Sequence, residues 1–411
     1  LDRYSRSGSY ESVEERVMNM TGVQRSFQTA VVACILMTQA GCHTGSLKEP
    51  AEPGDVKMKT AELSVRKSYP EKISREDRIK GALLGYLAGD ALGLGTHWYY
   101  DLDQLHHDYG SWVDSYQDPH PSGSHNFAFI SRFRYEQGLR AGDVSQAGQI
   151  VTLLLESVTS TGRYQGKDFH QRLDQFFQTL NGESLSGRFT ESIIKSLWDS
   201  RRQGISWDDP AIATGSDTSD GAQLGVILAL TYDDPEQLAE VMDTMMAPFF
   251  RDDFIRANQL VYALVLQALV KGVQLEDLPG HLRGLASNPA IRQRVGSFDN
   301  FLTPGNGAVA WKPEVVRIEP ALYVSHVYGM DCQVMHLLPT AYYLMHRYPD
   351  DFEMGLLSAI NGGGNNMARG ALTGALLGAM NGIGAIPERF VKDLRDSSRY
   401  LELADKLARS H

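Results

Sequence analysis

Glycine occupies every fourth position in two stretches, one near each end of the chain. The two sets are Gly81, Gly85, Gly89 and Gly93, and Gly370, Gly374, Gly378 and Gly382. This spacing puts each set on one face of a helix, where every glycine costs roughly 1 kcal/mol relative to alanine. Close approach of another backbone can offset that cost. The pattern therefore predicts two helices that pack glycine face to glycine face at the centre of the fold.

Between these stretches and after the second one, apolar residues recur at spacings of three and four, which is the period of an amphipathic helix. The predicted helices cover residues 169–180, 189–202, 235–249, 254–271, 275–285, 313–328, 333–348 and 387–409. No alternating strand pattern and no Asn-Gly hairpin turn is evident. Residues 99–133 contain scattered histidines, prolines and glycines, and we expect a long surface loop there. The fold class predicted for residues 73–411 is a single all-α domain.

The second glycine-rich stretch begins with a turn, Gly-Gly-Gly-Asn-Asn at residues 362–366. Consecutive glycines leave the backbone too free for a helix interior. A turn of this kind before a helix presents unpaired N–H groups, which often bind ligands. If the two helices pack as predicted, this turn lies close to residues 90–98. We expect the functional site at that junction.

The first 72 residues differ from the rest of the chain. Arg25 precedes an uncharged run with an apolar centre, and Gln-Ala-Gly-Cys follows at residues 39–42. A basic region, a short apolar region and small residues form a secretory signal, here of the lipoprotein type with Cys42 carrying the lipid. Residues 1–42 are the predicted extension and signal, and residues 43–72 are a flexible tether. This predicts a lipid-anchored protein of the bacterial cell envelope, with a cytoplasmic location as the alternative.

Composition narrows the possible partners. The chain has 411 residues and a net charge of −11, which argues against nucleic acid, because phosphate binding needs a basic face. No apolar run reaches the ~18 residues of a membrane-spanning helix, so the lipid on Cys42 is the only membrane contact expected. Cys332 is the one cysteine beyond the predicted signal, and a small buried residue is its simplest interpretation.

Two motifs carry a resemblance to a known family. They are Gly-Asp-Ala-Leu-Gly at residues 89–93, followed by His97-Trp98-Tyr99, and Gly-Gly-Gly-Asn-Asn with Ala-Arg-Gly-Ala-Leu-Thr-Gly-Ala-Leu-Leu-Gly-Ala at residues 362–379. Both resemble the ADP-ribosylglycohydrolase family, and above all its crystallin-like branch. The resemblance extends over residues 73–390. It implies a compact multi-helix orthogonal bundle with the active cleft at its centre.

The same resemblance implies hydrolysis at the ribose C1 of ADP-ribose with two magnesium ions. In the family these ions are held by a Thr-Asp-Asp turn and a Gly-Asp-Thr-Asp turn, which align here with residues 145–147 and 364–367. Gln146, Ala147, Asn365 and Met367 stand in place of carboxylates, and His97 in place of a glutamate. Magnesium prefers anionic oxygen ligands. We therefore expect no metal cofactor.

Three hypotheses follow for the cleft. In the first, a metal-free homologue binds a nucleotide-like or sugar-like molecule. The residues expected to line that ligand site are His97, Trp98, Ser145, Gln146, Asn365, Asn366 and Arg369. The planar fork of an arginine such as Arg369 suits a phosphate or carboxylate.

In the second hypothesis, carboxylates act as acid and base without metal, and the candidates are Asp90, Asp143 and Asp220. A simpler interpretation is that Asp143 or Ser145 caps the following helix and that Asp220 does the same in its own turn. In the third hypothesis, the protein is structural, like the crystallin-type relatives, and a side chain such as Trp98 or Met367 fills the cleft.

Overall fold

Helices are the only regular elements in the part of the chain that the computed structural model describes, which is residues 73–123, 125–180, 192–296 and 309–409. Outside them, the described backbone pairs only in two isolated bridges, Thr214 with Phe250 and Thr218 with Gln333. The all-α prediction is confirmed. The predicted signal, the tether and Cys42 lie outside the described residues.

Within the described ranges, the principal helices follow one another along the chain, and the further helical elements are short 3-10 turns. They are α1 (Arg75–Gly95), α2 (Leu102–Tyr109), α3 (Ala128–Glu136), α4 (Gln146–Thr161), α5 (Gly166–Phe177), α6 (Ser192–Arg202), α7 (Asp220–Thr231), α8 (Pro235–Met246), α9 (Asp253–Val270), α10 (Leu278–Ala286), α11 (Pro289–Val295), α12 (Val324–Tyr328), α13 (Val334–Arg347), α14 (Phe352–Asn361), α15 (Asn366–Asn381), α16 (Glu388–Lys392) and α17 (Ser397–Arg409). The 3-10 turns lie at Pro210–Ile212, Val309–Trp311, Ala321–Tyr323 and Ile383–Ala385. None of the described helices is both long and apolar enough to cross a bilayer.

The glycine faces of α1 and α15 meet as predicted. A Cβ atom on Gly85 would lie 2.2 Å from the carbonyl oxygen of Gly374, and one on Gly374 would lie 2.1 Å from that of Gly85. Gly89 faces Gly370 in the same way, at 2.1 Å. No side chain fits at such distances, so the two backbones are in direct contact. Glycine is required at these positions by the approach of the partner helix.

The other helices surround this central pair. Helices α13 and α14 pack against α15, α17 packs against α1, and α9 packs against both α7 and α15. Helices α1 and α15 are buried along nearly their whole length. The turns at the end of α1 and the start of α15 are therefore held in place from several sides.

Several predictions made from the pattern are wrong. Residues 99–133 are not one loop, because α2 and α3 form within them, and the carboxylate of Asp101 caps α2 by accepting from the N–H of Asp103 at 2.9 Å. His125 of this segment is buried and stacks on Tyr99 at 3.7 Å between ring centroids. Burial of aromatic residues outweighed the loop-like composition here.

Two other predicted helices differ in extent. Residues 313–320 are not helical, and Pro320 disfavours helical geometry at residue 319. The helix predicted over residues 387–409 is divided into α16 and α17. Asp396, directly before α17, has φ of 60°, which lies outside the right-handed helical region and so interrupts a continuous helix. Helix α11 was not predicted.

Candidate functional site

The turn after α1 and the turn before α15 are hydrogen-bonded to each other. The N–H of Trp98 donates to the carbonyl of Gly364 at 3.0 Å, and the N–H of Gly364 donates to the carbonyl of Tyr99 at 2.6 Å. The side-chain nitrogen of Asn366 donates to the hydroxyl of Thr96 at 2.8 Å. The expected junction of the two motifs is confirmed.

Three residues of this junction have left-handed backbone geometry. Gly363 and Gly364 have φ of 66° and 59°, which glycine adopts without cost, whereas Trp98 has φ of 72°. A non-glycine residue in this region costs roughly 1–2 kcal/mol. The Trp98 ring stacks on His97 at 4.9 Å and lies 5.1 Å from Phe127, and these contacts oppose the strain. The junction is therefore fixed by packing as well as by backbone hydrogen bonds.

Asp90 joins α1 to the start of α4. One of its carboxylate oxygens accepts from the hydroxyl of Ser145, and the other accepts from the N–H of Ser145, both at 2.6 Å. The Ser145 hydroxyl in turn accepts from the N–H of Gly148 at 3.1 Å and caps α4. Both Asp90 and Ser145 are buried. The predicted cap of α4 by Ser145 is confirmed, and both carboxylate oxygens of Asp90 are hydrogen-bonded to Ser145.

A small cavity lies where the two aligned turns converge. It has a volume of about 10 Å³ and is lined by Ala147, Asn365 and Met367 together with Asp220 and Cys332. A cavity of this size holds a single water at most. The Met367 side chain is 3% exposed and packs with Leu94 and Leu139. Positions aligned with metal ligands are thus brought together, but apolar side chains fill much of the space between them.

Asp220 is the only aspartate or glutamate among the residues that line this cavity. Burial raises its pKa above the ordinary value of 3.8, although the hydroxyl of Thr218, which donates to Asp220 at 2.5 Å, acts in the opposite direction. The buried hydroxyl of Tyr86 donates to Gln223 on the same wall at 2.9 Å. Burial therefore shifts the ionisation of Asp220 to higher pH than that of an ordinary aspartate.

Asp143 does not line the same cavity. One of its oxygens pairs with the guanidinium of Arg395 at 2.6 Å, and the other accepts from the N–H of Arg140 at 2.8 Å. It lines a separate space of about 160 Å³ beside Arg399 and Tyr400. The structure therefore does not bring Asp90, Asp143 and Asp220 to one face of a common cleft.

Arg369 is fully buried and holds the glycine-rich turn. Its Nε donates to the carbonyl of Ala359 at 2.9 Å, and its Nη2 donates to the carbonyl of Gly363. Burial lowers its pKa to about 9, so it stays charged at neutral pH. A cation at the end of α14 also suits the negative end of that helix. Two of the three guanidinium nitrogens of Arg369 therefore already donate to backbone carbonyls of the protein.

Several buried polar atoms near the junction have no hydrogen-bond partner within the described residues. They are Nε2 of His97, both amide atoms of Gln146 and Nη1 of Arg369. Nδ1 of His97 lies 3.4 Å from Oδ1 of Asn366. Burial lowers the pKa of His97 well below its usual value, so the ring is neutral at neutral pH. These atoms are free to bond a water or a polar ligand.

The donor atoms do not suit the two magnesium ions that the family uses. Within the described ranges, no group of three His, Cys, Asp or Glu residues is placed to hold a metal. Ala147 and Met367 supply no oxygen ligand, and Ser145 is already bound to Asp90. Magnesium gives up its water only for well-placed, mostly anionic oxygens. The aligned turns therefore lack a magnesium ligand set.

Sequence reasoning missed some of the lining. Thr218 and Gln223 line the cavity from the turn and first part of α7, and Cys332 lines it from the segment before α13. These segments are joined by the N–H of Val334, which donates to the carbonyl of Asp217 at 2.9 Å. The polar turn at residues 215–221 was a usable signal. Nothing in the sequence linked it to Cys332.

The fold and the site define an all-α protein with a central polar junction whose metal-ligand positions hold uncharged side chains. Residues 71–411 match the family model for ADP-ribosylglycohydrolase. An uncharacterized protein of Archaeoglobus fulgidus is 24% identical over 336 residues, which is 82% of this chain and 97% of that protein. A solved ADP-ribosylglycohydrolase-related protein complex shares the fold, with a TM-score of 0.55 and 20% identity, over 82% of this chain and 99% of its own. The chain belongs to the ADP-ribosylglycohydrolase family.

Proposed function

We propose that this protein is a metal-free member of its family that binds an ADP-ribose-like or other glycosidic ligand at the central junction without magnesium-dependent hydrolysis. The observation that carries the proposal is the cavity between Ala147, Asn365 and Met367, where Asp220 supplies the only carboxylate. A pair of magnesium ions brings four positive charges. A single carboxyl group does not balance that charge.

A retained ligand is supported by the buried polar atoms that have no partner. An unsatisfied buried donor or acceptor costs about 1–3 kcal/mol, and Gln146 alone has two such atoms. A sugar hydroxyl is both a donor and an acceptor, so sugar hydroxyls can bond both the amide oxygen and the amide nitrogen of Gln146. Entry requires Met367 to move, which an unbranched methionine side chain does readily.

The test is calorimetric titration of ADP-ribose into the protein in EDTA and again in magnesium chloride. We expect the same affinity in both, and we expect Gln146→Ala to weaken it. Gln149→Ala is the comparison, because Gln149 lies in the same turn of α4 but lines the separate space beside Asp143 and does not belong to the aligned motif. Binding that requires magnesium would overturn the proposal.

A structural role without any ligand is the second candidate, and the packing of Met367 favours it. The cavity as it stands is too small for a sugar, and Met367, which lines it, is packed in an apolar cluster with Leu94 and Leu139. Met367→Ala separates the two candidates. A ligand-binding protein gains affinity for ADP-ribose when the cavity is enlarged, whereas a purely structural protein gains none and only loses stability.

The carboxylate mechanism has weaker support from the geometry. Asp90 is bound to Ser145, and Asp143 lies on another cavity beside Arg395. Of the three candidates, only Asp220 lines the central cavity. A pair of carboxyl groups is needed for acid–base hydrolysis of this type.

Lipid anchoring through Cys42 is a separate proposal that is supported by the sequence pattern of residues 18–42. Expression in a bacterial host followed by mass analysis of the membrane fraction tests it. A lipid-modified chain that begins at Cys42 is expected. An unmodified soluble chain that retains Arg25 would contradict it.

A further inference from the structure

A polar groove of about 1120 Å³ lies away from the central cavity. It is bordered by α5, by the segment around Trp207, by the end of α8 and by the start of α9. No residue that lines it also lines the central cavity. Ligand pockets for small molecules usually measure about 300–1,000 Å³, so this groove has room for more than a single sugar or base.

One wall of the groove is a fixed network of aromatic and planar polar groups. The guanidinium of Arg201 donates to both carboxylate oxygens of Asp174, each at 2.9 Å, and the indole N–H of Trp207 donates to Asp174 at 3.1 Å. The His170 ring stacks on Trp207 at 4.5 Å with an interplanar angle of 14°. A wall whose side chains hold one another in place loses little conformational entropy when a ligand binds.

The charges of the groove are nearly balanced. Its lining contains the cations Lys167, Arg201, Arg251 and Arg256 and the acids Asp174, Asp208 and Asp209. Arg201 is paired with Asp174, and Arg256 with Asp243 outside the lining. Burial lowers the pKa of His170, which keeps its ring neutral. A groove of this kind does not select for a polyanion, which needs an excess of positive charge.

The remaining lining supplies hydrogen-bonding groups beside apolar surface. Tyr164, Pro210 and Ala247 contribute apolar surface, and Gln171, Ser206 and Thr244 contribute donors and acceptors. Hydroxyl-rich, uncharged ligands with apolar C–H faces match such a surface, because apolar groups cover the faces and polar groups bond the hydroxyls. We propose that this groove binds a neutral oligosaccharide.

The groove is linked to the central cavity by one segment. Ala213 lines the groove and Thr218 lines the cavity. Between them, the N–H of Thr214 donates to the carbonyl of Phe249 at 3.1 Å, and the N–H of Arg251 donates to the carbonyl of Thr214 at 2.9 Å. A glycan held in the groove therefore lies beside the segment that delivers Asp220.

The test is calorimetric titration of the full domain in EDTA with maltohexaose, cellohexaose, xylohexaose and chitohexaose, and with hexagalacturonate as the acidic probe. Thr244→Arg places a long side chain in the groove from an exposed position on α8. Glu240→Arg, one turn earlier on the same exposed side and outside the lining, is the matched control. Thermal melting verifies that both variants are folded.

We expect at least one neutral hexaose to bind, Thr244→Arg to weaken it by about tenfold or more, and Glu240→Arg to change it by less than about twofold. Three results would overturn the proposal. They are no binding of any neutral hexaose, binding that Thr244→Arg leaves unchanged, and binding of hexagalacturonate alone.

Discussion

Asp90 accepts two hydrogen bonds from Ser145, one from its N–H and one from its hydroxyl, and both are 2.6 Å long. The pair ties the first glycine-rich helix to the helix start that aligns with the early metal-binding turn of the family. A carboxylate held in this way stabilises the junction. It is not placed to act as an acid or base on a ligand.

Ser145→Ala is expected to destabilise the protein by about 1–3 kcal/mol, because it removes a helix cap and one donor to a buried carboxylate. Urea unfolding measures the loss. Ser74→Ala is the control, since Ser74 caps α1 through the N–H of Asp77 at an exposed site, where about 1 kcal/mol is expected. Equal losses in the two variants would show that the bond to Asp90 contributes nothing.

Gly374→Ala is expected to cost more than the roughly 1–3 kcal/mol of ordinary overpacking. The new Cβ would lie 2.1 Å from the carbonyl oxygen of Gly85, and neither helix can move without disturbing the other contacts of the pair. Gly384→Ala is the matched control, because a Cβ there meets nothing within 4 Å. Thermal melting of both variants measures the difference. A Gly374→Ala variant that melts with the wild type would refute the glycine-to-glycine packing.

The raised pKa of Asp220 predicts how the free energy of unfolding changes with pH. Its pKa is raised in the folded state by burial, so its ionisation disfavours folding. This cost is absent below the ordinary value of 3.8 and develops as the pH rises through the raised value. Asp220→Asn keeps an acceptor for Thr218 and cannot ionise. The stability of Asp220→Asn relative to wild type is therefore expected to increase between about pH 4 and pH 7 in urea unfolding. A constant difference over that range would contradict the assignment.

The central helix pair and the position of the junction could be predicted from the sequence. The four-residue spacing of Gly85 and Gly374 is a local signal, and direct backbone contact is the arrangement that explains it. That packing in turn predicted that residues 90–98 lie close to residues 362–366. The structure agrees, with Nδ1 of His97 3.4 Å from Oδ1 of Asn366.

The contents of the cavity could not be predicted in the same way. Cys332 and Asp220 come together only because the segment at Asp217 bonds to Val334, more than a hundred residues away in sequence. A contact between two irregular segments produces no periodic pattern in the sequence. The hydrogen bonds from Arg369 to the carbonyls of Ala359 and Gly363 could not be predicted for the same reason. An arginine beside a polar turn suits a phosphate equally well on sequence grounds alone.

The central claim is that the aligned turns no longer bind magnesium. Carboxylates close together raise the energy of an empty site, and a cation relieves that repulsion. This repulsion is absent from the aligned turns, because the side chains at these positions are uncharged, namely Gln146, Ala147, Asn365 and Met367. Replacing all four with Asp restores the charge, and the four-fold variant serves as a positive control that is expected to gain affinity for magnesium.

Calorimetric titration of magnesium into the wild-type domain, with and without ADP-ribose and beside a hydrolysis assay, tests this claim most directly. We predict no binding of two ions at physiological magnesium concentration, and no metal-dependent release of ADP-ribose from arginine- or serine-linked substrates. Stoichiometric binding of two ions with magnesium-dependent turnover would contradict the account.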